Sequence, residues 1–353
     1  MDFTRDESQE AVAELVVSLL EHDSARGFAL WPKLVDRGLV SAALPKRYGG
    51  GGLGLLEVSA MLTELATDAI EVPALTTLGF GVLPLTQSAP EPLAKKVFSA
   101  VAEGSVLTAA FNEPGAPFAM KPETAAVTDG DTVRIRGHKV GVPYADRARW
   151  ILVPTDSGLA VVDADAPSLE RVESPSSTGV PEFSLYLNDA EIPAEQLLSG
   201  GILELHRFAL ASIGSVADGL LTGALTLTTT DVGLRHLSRA SVLFRTASRK
   251  LADVSVVSRA LHAITVSANW ALAQEDDSAE HRERIDNDLD LLAYYVAFKL
   301  PAAIQECYRL HRGIGIGAAH PLHRYYSQAK DIARWLGGES FRLDQLGARC
   351  SSI

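Results

Sequence analysis

A chain of 353 residues, 47% hydrophobic and 22% charged, is long enough to bury a sizeable core and has the balance of a water-soluble globular protein. Its formal net charge of -12 argues against a nucleic-acid backbone or an anionic membrane surface as main partner. The absence of any run of about 18 uncharged apolar residues argues against a membrane span; the acidic start Met1-Asp2-Phe3-Thr4-Arg5-Asp6 is unlike a signal peptide, and the distant pair Cys307 and Cys350 reads as reduced thiols of a cytoplasmic protein.

The first segment reads as helical. Val12, Leu15, Val16, Leu19 and Leu20 fall on one face at helical spacing, and Trp31, Leu34, Val35 and Leu39 repeat the pattern until Pro45 breaks it. The stretch Tyr48-Gly49-Gly50-Gly51-Gly52-Leu53-Gly54 must be a loop, because consecutive glycines lose too much entropy in a helix. Helical periodicity resumes at Leu56, Leu62 and Leu65 and is expected to run on towards Gly104.

From about residue 105 short β-rich runs take over: Val106-Leu107-Thr108, Val133-Arg134-Ile135, Trp150-Ile151-Leu152-Val153, Leu159-Ala160-Val161-Val162 and Phe183-Ser184-Leu185-Tyr186-Leu187. Gly137, Gly158 and the Ser174–Gly179 stretch separate them, so a barrel or sandwich is expected. After Gly200-Gly201 two long apolar-periodic stretches follow, from Ile202 to about Leu227 and from about Phe244 to Leu272. The charged segment Gln274–Asp288 reads as a solvated connection or helix end, and a helix over Leu289–Arg312 is expected to kink or restart at Pro301. The predicted fold is α+β and mostly α, with a helical domain at 1–104, a β domain at 105–200 and a helical bundle at 201–353.

That order resembles the acyl-CoA dehydrogenase family, and local matches support it. Pro45-Lys46-Arg47-Tyr48-Gly49-Gly50-Gly51-Gly52-Leu53-Gly54 resembles the family's Pro-x-x-Tyr-Gly-Gly-x-Gly loop, and Phe111-Asn112-Glu113-Pro114 stands where the family has Thr-Glu-Pro. Ile192-Pro193-Ala194-Glu195 resembles the family's exit from the β domain, and Leu251-Ala252-Asp253 its Leu-Ala-Asp. Leu310-His311-Arg312-Gly313-Ile314-Gly315 and His320-Pro321-Leu322-His323-Arg324-Tyr325 resemble Leu-His-Gly-Gly-x-Gly and His-Pro-Leu-x-Arg. Asn112-Glu113-Pro114-Gly115, Val140-Gly141-Val142-Pro143-Tyr144-Ala145 and the ending from Leu336-Gly337-Gly338 to Leu346-Gly347-Ala348 look most like the smaller, noncatalytic subunits of actinobacterial steroid-CoA dehydrogenases, which are α2β2 heterotetramers.

The resemblance implies a definite chemistry. In the family a carboxylate removes the α-proton of an acyl-CoA while the β-hydride passes to flavin N5, so a placed base and hydrogen bonds to the thioester carbonyl are both needed. One of the family's two base positions is here Leu336, which takes no proton; the other, on the first helix after the β domain, is His206. Histidine has an ordinary pKa of about 6.5 and is able to act as a base, yet a helix histidine contacting a neighbour is the plainer reading. Glu204 and Glu339 lie off register, Glu204 by a rotation of roughly 160° from His206.

The implied flavin contacts are eroded as well. Gly141-Val142-Pro143 replaces the family's aromatic wall, Leu234-Arg235-His236-Leu237-Ser238 stands for Arg-x-Gln-Phe-Gly, and Arg309-Leu310-His311-Arg312-Gly313 stands for Gln-x-x-Gly-Gly. Arg235, Arg309 and Gly313 are the remaining candidates for FAD contact. The run Gly313-Ile314-Gly315-Ile316-Gly317 follows a helix, not a strand, and so fails as a dinucleotide loop. His311, His320 and His323 read as hydrogen-bonding residues at a helix turn and not as metal ligands, and Arg207 reads either as a substrate or cofactor contact or as a surface or capping residue.

The resemblance thus implies a noncatalytic subunit, paired with a homologous catalytic chain that supplies the glutamate and holds most of the FAD. Acyl-CoA thioesters, including sterol side-chain CoA esters, are the implied substrates. Two alternatives stay open from the residues: a self-sufficient flavoenzyme with His206 as base, and a scaffold or regulator that binds neither flavin nor CoA.

Overall fold

The structure, a computed structural model, describes residues 4–235, 242–276, 278–311 and 320–351. The chain folds into two compact units, one made of Met1–Glu21, Ser59–Ile70 and Ile213–Ile353, the other of His22–Val58 and Glu71–Ser212.

The unit of His22–Val58 and Glu71–Ser212 holds the strands. One sheet has the order β1 (Val106–Ala109), β4 (Ala148–Thr155), β5 (Gly158–Asp163) and β8 (Leu197–Leu198). The other runs β2 (Ala125–Asp129), β3 (Thr132–Pro143), β7 (Glu182–Pro193) and β6 (Leu169–Ser174). Alternation fixes the register of β3: Val133 and Ile135 are fully buried, while Arg134 and Arg136 face outwards to Glu191 and Asp189. Register shifts in the β3–β7 pairing fall between Ile135 and Arg136 and between Lys139 and Val142. The second is the kind of bulge that re-aims side chains beside a site.

Helices of the same unit include α2 (Trp31–Asp36), α3 (Leu39–Ala42), α5 (Leu83–Ser88) and α6 (Glu91–Ala102). Proline in its first turn starts α6, and its stripe Leu93, Ala94, Val97, Phe98 and Val101 is buried. The glycine-rich loop is explained by close approach: a Cβ on Gly50 would lie 2.1 Å from the carbonyl oxygen of Leu44. Tyr48 of that loop packs on Phe98 with ring centroids 5.4 Å apart.

The expected continuous helix towards Gly104 is corrected. After α4 (Leu55–Thr67) the helix stops, and Leu75–Val82 is a π-helix whose residues Thr76 to Val82 are all buried. Its wide turn carries Gly79 and Gly81, which admit Ser212 and Leu107 at distances a Cβ would not allow.

The unit of Met1–Glu21, Ser59–Ile70 and Ile213–Ile353 is helical. It contains α1 (Glu7–His22) to Glu21, the later part of α4, and α7 (Ile202–Arg235) from Ile213. It also contains α8 (Val242–Leu272), α9 (Ala279–Leu310), α10 (Leu322–Trp335) and α11 (Gly338–Ser351). Glycines on α7 let backbones touch: a Cβ on Gly223 would lie 2.0 Å from the carbonyl oxygen of Thr67. Leu15, at the edge of the apolar stripe of α1, is 51% exposed, whereas Val12, Val16, Leu19 and Leu20 are buried.

Two expectations about α9 are also corrected. Residues 279–288 are helical because the Ser278 hydroxyl caps the His281 amide, Ile285 is buried, and Arg284 and Asp288 pair at i,i+4. The helix continues through Pro301 because its buried face, from Leu289 and Leu292 to Leu300, Ile304 and Cys307, is packed on both sides of it. Such burial outweighs a penalty of about 3 kcal/mol for an interior proline.

Two described helical stretches are long and apolar enough to cross a membrane by length and composition alone. Of the most apolar window of the first, Ile202–Asp231, 89% is buried inside the fold, which marks a core helix; of that window of the second, Arg245–Leu272, 22% is buried.

Candidate functional site

The loop between β1 and β2 carries Phe111-Asn112-Glu113-Pro114, and the fold sets it against the start of α7, where His206 lies. Asn112 forms a bridge with Val140 of β3, and its Oδ1 accepts a 2.9 Å hydrogen bond from the Phe118 amide. Glu113 and Ala116 exchange backbone hydrogen bonds at 3.1 and 3.0 Å, closing a turn at Gly115, whose φ of 76° suits glycine.

The Glu113 carboxylate is buried and saturated with donors. Its Oε1 accepts from Lys139 Nζ at 2.8 Å, from Thr124 Oγ1 at 2.6 Å and from the Thr124 amide at 2.9 Å. Its Oε2 accepts from the Glu123 amide at 2.7 Å. Burial pushes this carboxyl up, but the bonds from Lys139, Thr124 and Glu123 outweigh it and hold the pKa at about 2. Gly137 makes the approach possible, since a Cβ there would sit 2.4 Å from Thr124 Oγ1.

The rings beyond Glu113 close over His206. Phe111 and Phe118 stack with centroids 4.6 Å apart and an interplanar angle of 5°, and Phe80 meets Phe111 edge-on at 4.9 Å. The His206 ring lies 5.2 Å from Phe118 and 5.9 Å from Phe111, and its Nδ1 is 3.0 Å from Met120 Sδ. His206 is 5% exposed. A thioether and aromatic faces surround it where a base would need the acidic C–H of a substrate.

The other site positions are placed as follows. Leu336 closes α10, is fully buried, and offers its carbonyl oxygen to Arg342 Nε at 2.7 Å. Burial pushes the Arg342 guanidinium down to about 10, against the opposing charge of Asp290. Glu339 is exposed in the first turn of α11. Arg207 is not a surface residue: it is 6% exposed and bonds Glu204 Oε1 at 2.9 Å. Neither of the two positions that the resemblance assigns to a base, 206 and 336, carries a carboxylate.

Arg309 lies in the last turn of α9, 64% exposed at its side chain and paired with Glu306 at 3.3 Å. Arg235 ends α7, but its side chain lies outside the described residues, as do Gly313 and the segments 236–241 and 312–319. His311 is buried, with Nε2 3.3 Å from Thr228 Oγ1 and Nδ1 3.4 Å from Asp231, and its ring meets His320 edge-on at 4.8 Å. Among the described residues no group of histidine, cysteine and acidic side chains is placed to hold a metal ion.

Sequence reasoning placed Phe111, Glu113 and His206 but not Phe118, Met120, Thr124 and Lys139, which complete the cluster. Its signal was the turn-forming run Pro114-Gly115-Ala116-Pro117, which brings Phe118 back over Phe111.

Helices on either side of a double-sheet core in chain order, with the Asn112-Glu113-Pro114 loop set against the helix after the strands, define the acyl-CoA dehydrogenase class. The chain belongs to the acyl-CoA dehydrogenase family. A profile of the family described as Acyl-CoA dehydrogenase, N-terminal domain, matches residues 2–105. The acyl-CoA dehydrogenase FadE28 of Mycobacterium tuberculosis is 39% identical over 353 residues, covering 99% of both chains. A chain of the ChsE4-ChsE5 complex from Mycobacterium tuberculosis superposes with a TM-score of 0.86 at 25% identity, over 100% of both chains. A chain of the Tcur3481-Tcur3483 steroid ACAD does so with a TM-score of 0.84 at 25% identity, over 98% of this chain and 97% of that one.

Homologues in the family are FAD-dependent. The side chains beside His206, and those of the stretch that the resemblance sets against the flavin, are already packed among themselves and do not fit a flat tricyclic ring. Phe111 and Phe118 fill the space beside His206 with each other, and Val142, in the stretch that replaces the aromatic wall, is fully buried within its sheet.

Proposed function

We propose that this chain is the noncatalytic subunit of a heteromeric FAD-dependent acyl-CoA dehydrogenase, with a homologous partner supplying the glutamate base and most flavin contacts. The observation that carries this reading is the state of the two base positions: a wholly buried leucine at 336 and a histidine at 206 enclosed by Phe111, Phe118 and Met120. The likeness to chains from the ChsE4-ChsE5 complex and the Tcur3481-Tcur3483 steroid ACAD supports the heteromeric part. An α2β2 assembly and sterol side-chain CoA esters are the proposed stoichiometry and substrates.

Helix α8 supports an assembly role. It is apolar enough to span a membrane, yet 22% of its apolar window is buried within this chain, and Val256 and Trp270 are 69% and 39% exposed. A partner subunit that covers this face recovers the free energy of burying it. Arg235 is the proposed contact to the adenosine end of the partner's FAD, with Arg309 and Gly313 as further candidates. The division into 1–104, 105–200 and 201–353 and a cytoplasmic location are likewise proposed.

The test is a pair of substitutions in the assembled complex. Replacing His206 by Ala is expected to leave turnover within about twofold, whereas replacing the partner's base lowers it by the about 100- to 10,000-fold typical of a lost general base. A comparable loss from His206→Ala alone would make His206 the base and overturn the reading.

A further inference from the structure

The loop over His206 is a strap fastened at both ends by one residue, Glu113, through its backbone at one end and its carboxylate at the other. Glu113 closes a backbone turn with Ala116 at the near end, and its two carboxylate oxygens take the amides of Glu123 and Thr124 at the far end. Lys139 anchors that carboxylate from β3, with neither charge reaching solvent. Between the ends, Phe118 has a φ of 48°, a left-handed conformation uncommon for a bulky side chain. Its amide is held there by Asn112 Oδ1. The strained backbone serves one visible purpose, which is to lay the Phe118 ring flat on Phe111, 5° from parallel. Phe80 and His206 pack against the stack, and Met120, itself 52% exposed, reaches His206 Nδ1.

We propose that residues 113–124 form an internal plug, in which the Phe111–Phe118 stack takes the place of a planar aromatic ligand beside His206. The plug, and not the missing carboxylate alone, keeps this chain's own site closed to flavin and to acyl thioester. This deepens the partner-subunit reading and rests on it for its purpose, because a sealed half-site confines chemistry to the partner. The fastening explains why the plug holds without a ligand: four hydrogen bonds converge on Glu113 and no hinge glycine lies between Ala116 and Thr124.

The experiment uses the full chain purified alone, titrated with FAD and separately with octanoyl-CoA, following flavin fluorescence and binding heat. The wild-type chain is expected to bind neither at up to about 100 µM, a range that a natural flavin site would saturate. The double variant Phe118→Gly, Met120→Ala removes the plug while keeping Glu113, and is expected to gain at least about tenfold in affinity for one of the two probes. Stoichiometric flavin binding by the wild type, or no gain in a variant shown by circular dichroism to be folded, would overturn the plug.

A second measurement reads the strap without any ligand. Hydrogen exchange at the Glu123 and Thr124 amides is expected to be slow in the wild type and at least about tenfold faster in Glu113→Gln; equal rates would overturn the fastening. Both measurements are made without a partner. Failure of the chain to associate with a catalytic subunit would therefore sink the functional reading and leave the plug standing. Association with the catalytic subunit, together with no gain in affinity in the folded Phe118→Gly, Met120→Ala variant, would do the reverse.

Discussion

Lys139 Nζ lies 2.8 Å from Glu113 Oε1, and the two side chains are 0% and 5% exposed. A buried pair of this kind is weak evidence of net stabilisation, but removing one member leaves an uncompensated charge in the interior. Glu113→Ala is therefore expected to cost about 3–5 kcal/mol, read as a lowered urea midpoint with an unchanged slope. A loss below about 1 kcal/mol would show that Lys139 finds water or another partner.

The same carboxyl gives a pH dependence. Its pKa is about 2 in the fold against 4.5 for an ordinary glutamate, so the unfolded chain binds the proton more readily. Its contribution is complete above about 4.5 and is lost as pH falls from there through about 2. Glu113→Gln is expected to flatten the acid limb of the stability curve over that window, and an unaltered acid limb would mean the carboxyl is not coupled to folding.

In the helical unit the sign reverses. His262 Nδ1 is 2.8 Å from Asp218 Oδ2, and this hydrogen bond raises the histidine above 6.5 although burial and Arg5 oppose it. The pair's contribution is present in full below about 6.5 and is lost as pH rises through the raised value. Asp218→Asn should remove that slope in thermal melts between pH 6 and 8, and an unaltered slope would mean the pair is not coupled to folding.

Cys307 is fully buried on α9, and desolvation pushes its thiol up to about 11. In a Cys350→Ser variant, Cys307 is expected to resist a disulfide reagent at pH 8 and to react with one equivalent after unfolding. Fast labelling of the native chain would place the thiol in a far more open setting.

Val256, 69% exposed on the apolar helix α8, tests the assembly surface. Val256→Asp is expected to leave the thermal midpoint of the isolated chain unchanged and to weaken association with the catalytic subunit at least about tenfold. Undiminished association would move the interface elsewhere.

The fold was largely legible in the sequence, because its signals are local. Alternation at Val133 and Ile135, the stripe Val12, Val16, Leu19 and Leu20, and the break at Gly200-Gly201 before α7 place strands and helices directly, whereas Gly137, read as a breaker between strands, lies inside β3, where its missing side chain admits Thr124. The misses came where tertiary packing overrides local preference. Pro301 sits inside α9 because both flanks are packed, and Leu75–Val82 widens to a π-helix to bring two glycines against Ser212 and Leu107.

The candidate site was half legible. The resemblance located Leu336, His206 and the Asn112-Glu113-Pro114 loop by position, whereas Lys139, Thr124 and Phe118 join the cluster through a strand bulge, a glycine and a left-handed residue. None of these leaves a periodic trace in the sequence. The contacts proposed for Arg235 and Gly313 lie outside the described residues.

The central claim is tested most directly by the flavin content of this chain, read from its visible absorbance spectrum when purified alone and when co-expressed with its catalytic partner. The account predicts a colourless chain alone and a flavin spectrum in the complex at about one FAD per pair of unlike subunits, as expected if the partner makes most of the cofactor's contacts. A yellow protein with one FAD per copy of this chain, purified alone, would contradict it and return His206 to consideration as a base.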